Sequence, residues 1–222
     1  MRLFIDKSSH AILSAFLAAI LTISPLREAA ADGAPAVVAL GDSLFAGYGL
    51  PEGKSFPARL QQALAEKGVE VAIANAGVSG DTSAGGLARL DWSVPEGTDA
   101  VLVELGANDA LRGLPPAQTE ANLDAIVSRL KDRGIAVLVA GMRAPPNMGG
   151  DYADAFDPVF ARVASRHDAA LYPFFLEGVA AVPELNQPDG MHPNAEGVDA
   201  IVARFLPVMQ AFVESLPGED GK

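Results

Sequence analysis

Five short apolar runs, separated by longer segments of helical period, most constrain how this chain can fold. They are "AVVAL" (36–40), "VEVAIAN" (69–75), "AVLVEL" (100–105), "IAVLVAG" (135–141) and "AALYPF" (169–174). The third and fourth are continuously apolar, as strands buried on both faces of a sheet must be. Between the runs the pattern predicts helices over Phe56 to Lys67, Pro116 to Arg133 and Asp151 to His167, and a last one over Ala195 to Leu216. Gly68 and Gly134 are stop signals for the first two. Asn194 is a favoured cap for the last, whose Val198, Ile201, Val202, Phe205 and Met209 share one face. Strands alternating with helices predict an α/β fold, a three-layer α/β/α sandwich around a mostly five-stranded parallel sheet. Ligand chemistry then belongs at the carboxyl ends of the strands.

No repeat, low-complexity stretch or charged linker divides residues 32–222, which are expected to form one domain. Ahead of them Arg2 and Lys7 precede an apolar run from Ala11 to Ile23. Ala29 and Ala31 then stand at the small-residue spacing that a signal peptidase reads. The apolar run, about thirteen residues, is short against the roughly twenty that span a bilayer. Residues 1–31 are therefore expected to be a cleavable export signal rather than an anchor, leaving a soluble mature protein. The chain has no cysteine, so disulfides, a thiol nucleophile and a lipid-bearing cysteine are all excluded. The formal net charge is −12; residues 1–31 carry +1, which leaves −13 on the remainder. Such a surface does not suit a polyanion, and no nucleic acid is expected as a partner.

The loops after the strands carry the reactive residues. Gly41-Asp42-Ser43 follows the first run, "NAGVSGD" with Gly77, Ser79, Gly80 and Asp81 ends the second, and "GAND" with Asn108 and Asp109 follows the third. "PDGMHPN" places Asp189 and His192 just ahead of the last helix. A serine hydroxyl needs a base to become a nucleophile, and histidine is the natural one. Downstream of residue 31 the choice is His167 or His192. His167 ends a predicted helix, where a cation suits the helix dipole. His192 shares a turn with Asp189, three residues away, which can hold the imidazole in one tautomer. Acyl transfer also needs donors for a developing oxyanion, and Gly80 and Asn108 are the candidates. Read alone, Gly80 is also a turn glycine and Asn108 also a cap residue. Asp42 is expected to hold the turn through hydrogen bonds to the backbone, with Gly41 allowing a tight turn. One well-placed histidine with scattered acids is a thin ligand set, so no metal is expected.

Four ordered blocks, "GDSL", "NAGVSGD", "GAND" and "DGMH", resemble the GDSL, or SGNH, hydrolase family, and the resemblance extends from Val37 to the last helix. "GDSLFAGYGL", "SGDTSAGGLARL", "VLVELGANDALRGLPP", "PFFLEGV" and "DGMHPN" are similar to its bacterial arylesterase, lysophospholipase and acyl-CoA thioesterase branch. The resemblance implies a flavodoxin-like hydrolase with Ser43 as nucleophile, His192 as base and then acid, and Asp189 orienting it. It also implies an oxyanion hole from the Ser43 and Gly80 N–H groups and the Asn108 side chain, with neither metal nor organic cofactor. The implied substrates are small or lipid acyl esters and thioesters, and the implied location is the periplasm, with full secretion as the alternative. A monomer is expected. "RAPPNMGGDY" (143–152) corresponds to a mobile loop beside the acyl pocket in this branch. Leu44, Phe45, Leu111, Pro145, Pro146 and Phe174 lie near the reactive loops and are the candidates for an apolar groove, with ordinary core as the equal alternative. The alternatives are a carbohydrate O-acetylesterase with the same machinery and an exported α/β module that binds without cleaving.

Overall fold

In the computed structural model, which describes residues 33–217, the five apolar runs form one parallel sheet. The expected export signal, residues 1–31, lies outside the described residues. The strands are β1 (Ala36–Gly41), β2 (Ala72–Gly77), β3 (Ala100–Glu104), β4 (Ala136–Ala140) and β5 (Ala170–Tyr172), in the order β2-β1-β3-β4-β5. β1 and β3 are buried along their whole length, as their unbroken apolar sequences require. The chain leaves β1 on one side to make β2 and returns on the other to make β3. The strand order therefore reverses at the carboxyl end of β1, which is where sheets of this kind open a crevice.

The helices are α1 (Ser43–Ala46), α2 (Phe56–Ala65), α3 (Ser83–Ala88), α4 (Leu90–Ser93), α5 (Ala107–Leu111), α6 (Pro116–Asp132), α7 (Gly150–Phe156), α8 (Val159–Arg166) and α9 (Ala195–Glu214). α2 packs against α9 on one face of the sheet, and α6 packs against α3 and α8 on the other. Three layers result, as the alternation predicts. The first face is filled by aromatic rings: Phe45 stacks on Phe56 at 5.3 Å, and Phe56 meets Phe175 edge-on at 4.8 Å and Phe205 at 5.2 Å. Among the described residues no helix is long and apolar enough to cross a membrane.

Three expectations are corrected. β2 starts at Ala72, not at Val69, because the Lys67 and Val69 N–H groups both turn back to Leu64 O at 2.9 and 3.0 Å to close α2. The helix expected from Asp151 to His167 is two, α7 and α8, broken at Asp157 and Pro158. A proline has no N–H for the ladder, and the Asp157 carboxylate instead accepts the Ala144 N–H at 2.8 Å. Phe45, expected in an acyl groove, has 0% exposure, and Leu44 has only 8%: the aromatic core takes both. α9, by contrast, runs through Pro207, where the missing donor falls on an exposed position.

Candidate active site

The carboxyl end of β1 is shaped by two glycines. A Cβ on Gly41 would lie 2.6 Å from the Phe45 ring and 2.9 Å from the Glu104 carboxyl, and one on Gly77 would lie 2.2 Å from Ala46 N. Real side chains do not approach so closely, so α1 rests directly on the neighbouring strand ends only because both positions lack a side chain. Gly41, whose φ is not positive, is thus required for the close approach of the chain that turns back over it. Asp42 caps α1: its Oδ1 accepts the Leu44 N–H at 2.9 Å, as expected for this residue, and Gly47 closes the helix with φ +80°. Ser43, 9% exposed, opens the helix at the sheet edge.

His192 reaches this serine from the far end of the chain. Its Nε2 lies 3.0 Å from Ser43 Oγ, and its Nδ1 lies 2.6 Å from Asp189 Oδ2. The other carboxylate oxygen, Oδ1, accepts the N–H groups of Met191 and His192 at 2.9 and 3.0 Å. Those backbone donors, with the imidazole, lower the Asp189 pKa to about 2. An ionised acceptor on Nδ1 keeps the proton there and leaves the Nε2 lone pair for the serine hydroxyl. His167 lies at the end of α8 and pairs with Asp124 at 2.8 Å, a surface contact between α8 and α6.

Asn108, in α5, donates its Nδ2 to Asp42 Oδ2 at 2.9 Å. An amide nitrogen carries two protons, so one remains for a ligand. Gly80 sits in the turn closed by Asp81 N–H to Val78 O at 3.1 Å, with the φ of +84° that the third position of a type II turn demands. Arg89 braces this turn against β1. It donates to Asp81 Oδ2 at 2.6 Å, to Ala76 O at 2.8 Å, to Gly41 O at 2.9 Å and to Ser93 Oγ at 2.9 Å. The loops carrying Ser43 and Gly80 are therefore held by one guanidinium.

Asp109, which the sequence marks without a role, is 1% exposed and joins three helices. Its carboxylate accepts the Ser83 N–H and hydroxyl at 2.8 and 2.5 Å and the Thr119 hydroxyl at 3.2 Å, fixing α5 and hence Asn108. Gln187 likewise carries no motif signal in the sequence. It donates to Tyr48 O at 2.7 Å and Pro193 O at 3.0 Å, tying the His192 loop to the segment after α1, and the exposed Tyr48 ring lies 4.6 Å from the imidazole. Of the proposed groove residues, Leu111 and Pro146 are exposed while Pro145 and Phe174 are half-buried, and the Arg143 guanidinium lies 4.6 Å from the Phe174 ring centre. Among the described residues no three His, Asp or Glu side chains cluster as a metal site.

Residues 39–200 match the GDSL-like Lipase/Acylhydrolase family. The chain belongs to this family. It is an enzyme of the acylhydrolase class. An arylesterase of Vibrio mimicus is 44% identical over 85% of this chain and 94% of its own length. A thioesterase, protease and lysophospholipase of Escherichia coli is 40% identical over 87% of this chain and 90% of its own. The crystal structure of AlinE4, an SGNH-hydrolase family esterase, is 46% identical, with a TM-score of 0.69 over 83% of this chain and 98% of that one. The family match begins within β1 and ends within α9, so it takes in every loop that builds the site.

Proposed function

We propose that this GDSL-family enzyme is a serine esterase that hydrolyses acyl esters and thioesters through an acyl-enzyme. The observation that carries the reading is the relay from Asp189 through His192 to Ser43, with contacts of 2.6 and 3.0 Å. His192 Nε2 takes the Ser43 proton as Oγ attacks the acyl carbon, while the Asp189 carboxylate stabilises the imidazolium. The Ser43 and Gly80 N–H groups and the free Asn108 amide proton receive the oxyanion, and His192 returns its proton to the leaving alkoxide or thiolate. A water molecule, deprotonated by His192, then releases the acid and restores Ser43. No step calls for a metal or an organic cofactor. Aryl esters, lysophospholipids and acyl-CoA-type thioesters are the substrate classes, on the relatives' names and the resemblance to their branch. The enzyme acts as an exported monomer, exported on the reading of residues 1–31 and periplasmic rather than secreted on the resemblance to its branch.

Hydrolysis of p-nitrophenyl esters from acetyl to palmitoyl, compared with S43A, tests this. Turnover is expected in the wild type and absent in S43A. Losing the Asn108 donor in N108A is expected to reduce kcat on the order of a hundredfold. Wild-type turnover by S43A would refute the nucleophile. A wild type that neither turns over nor reacts at Ser43 with a phosphonate would favour a binding module.

A further inference from the structure

Glu104 is the buried acid for which the mechanism has no use. It ends β3 directly beside Gly41, with 0% exposure. Its Oε2 accepts one long hydrogen bond, from Asp42 N–H at 3.3 Å, and Oε1 has no partner among the described residues. Asp42 and Glu104 are thus neighbouring acids, both with 0% exposure. Two adjacent buried carboxylates cannot both stay ionised, so one must hold a proton. Asp42 has the better donors: Leu44 N–H and Asn108 Nδ2, both at 2.9 Å. Glu104 has one, and a bare carboxylate oxygen in such a place would be costly.

We propose that Glu104 is a positioning residue, a neutral carboxyl group that donates its O–H to the Asp42 carboxylate and so fixes the Asn108 amide that Asp42 holds. Burial and the neighbouring Asp42 charge push the Glu104 pKa well above the ordinary carboxylate range, in the same direction. The arrangement leaves one negative charge beside the serine where two would oppose a developing oxyanion. It also makes Asp42 an acceptor of bonds from three sides, which a two-lone-pair oxygen pair accommodates. The role rests on the oxyanion function assigned above to Asn108.

Glutamine is the isostere that keeps this arrangement, since its carbonyl can accept the Asp42 N–H and its amide can donate to the Asp42 carboxylate. Leucine keeps the volume and donates nothing. E104L is expected to lose about tenfold or more in kcat with KM nearly unchanged, the worth of about one buried hydrogen bond, and E104Q to recover most of that loss. Infrared difference spectra of wild type against E104Q at neutral pH should carry the C=O stretch of a protonated carboxyl. An E104Q as poor as E104L, or a difference spectrum with carboxylate bands alone, overturns the proposal. The infrared readout does not need turnover. Ser43-dependent turnover that is indifferent to E104L removes only the positioning role, whereas a wild type without Ser43-dependent turnover removes the function itself.

Discussion

Replacing Arg89 with methionine keeps the aliphatic stem and deletes the guanidinium that bridges β1, β2 and the Gly80 turn. Its side chain is 15% exposed and that of its partner Asp81 18%, so the ion pair is largely withdrawn from water. Breaking a buried pair costs 3–5 kcal/mol when the remaining charge is stranded. Asp81 can turn partly to solvent, and Gly41 O keeps the Val78 N–H at 3.0 Å, so the low end applies, about 3 kcal/mol. In a domain of this size that is a fall in Tm of roughly 6–12 °C, measured by calorimetry or circular dichroism. D81N in the same background removes the stranded charge, so R89M/D81N should be more stable than the sum of the single losses by about 1–2 kcal/mol. At 25 °C R89M remains folded, and kcat for a p-nitrophenyl ester should fall about tenfold because Ser43 and Gly80 lose their common brace. Melting within about 2 °C of wild type, or strict additivity with D81N, would refute the argument.

G77S places an atom where Ala46 N already lies 2.2 Å from the Cβ position, so α1 must shift; kcat for the ester is expected to drop by more than tenfold, on the displacement penalty of a misplaced nucleophile. F45A opens a cavity in the fully buried aromatic cluster and should cost about 3–5 kcal/mol in a urea titration, far more than a groove-wall residue would. D189N removes the carboxylate that holds the Nδ1 proton and stabilises the imidazolium, so kcat should fall on the order of 10⁴-fold; a kcat near that of wild type would contradict the pairing. Because the Asp189 pKa is depressed to about 2, its contribution to stability is present above the ordinary carboxylate pKa and is lost as pH falls from about 4 to about 2. Acid unfolding of D189N should accordingly lack the part of the transition that lies in that window.

The strands were legible because a run of five apolar residues reads the same from either face of a buried sheet. β1 and β3 sit within a residue of where the pattern places them. The sequence also brings Ser43, Asp189 and His192 forward as residue types at strand ends, and the fold gathers those three. What escaped has a common cause: it depends on contacts across long sequence separations. Arg89 and Gly41 are 48 residues apart, Asp42 and Glu104 are 62 apart, and Gln187 and Tyr48 are 139 apart. Arg89, Glu104 and Gln187 each look like ordinary members of a helix, a strand end or a turn. Phe45 escaped for the opposite reason. It follows the serine so closely that proximity in sequence suggested proximity to a ligand, while the first turn of α1 points it inward to Phe56. The four-residue helices α1 and α4 lie below the length at which a periodic pattern can be recognised.

His192 stands two residues before the Asn194 cap of α9, and its contact with Ser43 spans 149 positions of the chain. The imidazole is therefore brought to the serine with the docking of α9 onto α2. A chain with α9 undocked holds its nucleophile and the turn of Gly80 but has no base within reach. Hydrolytic competence arrives only with that docking, so a molecule whose α9 is undocked is chemically silent toward esters. Appearance of ester cleavage after dilution from denaturant consequently reports the docking of α9 rather than the formation of the sheet.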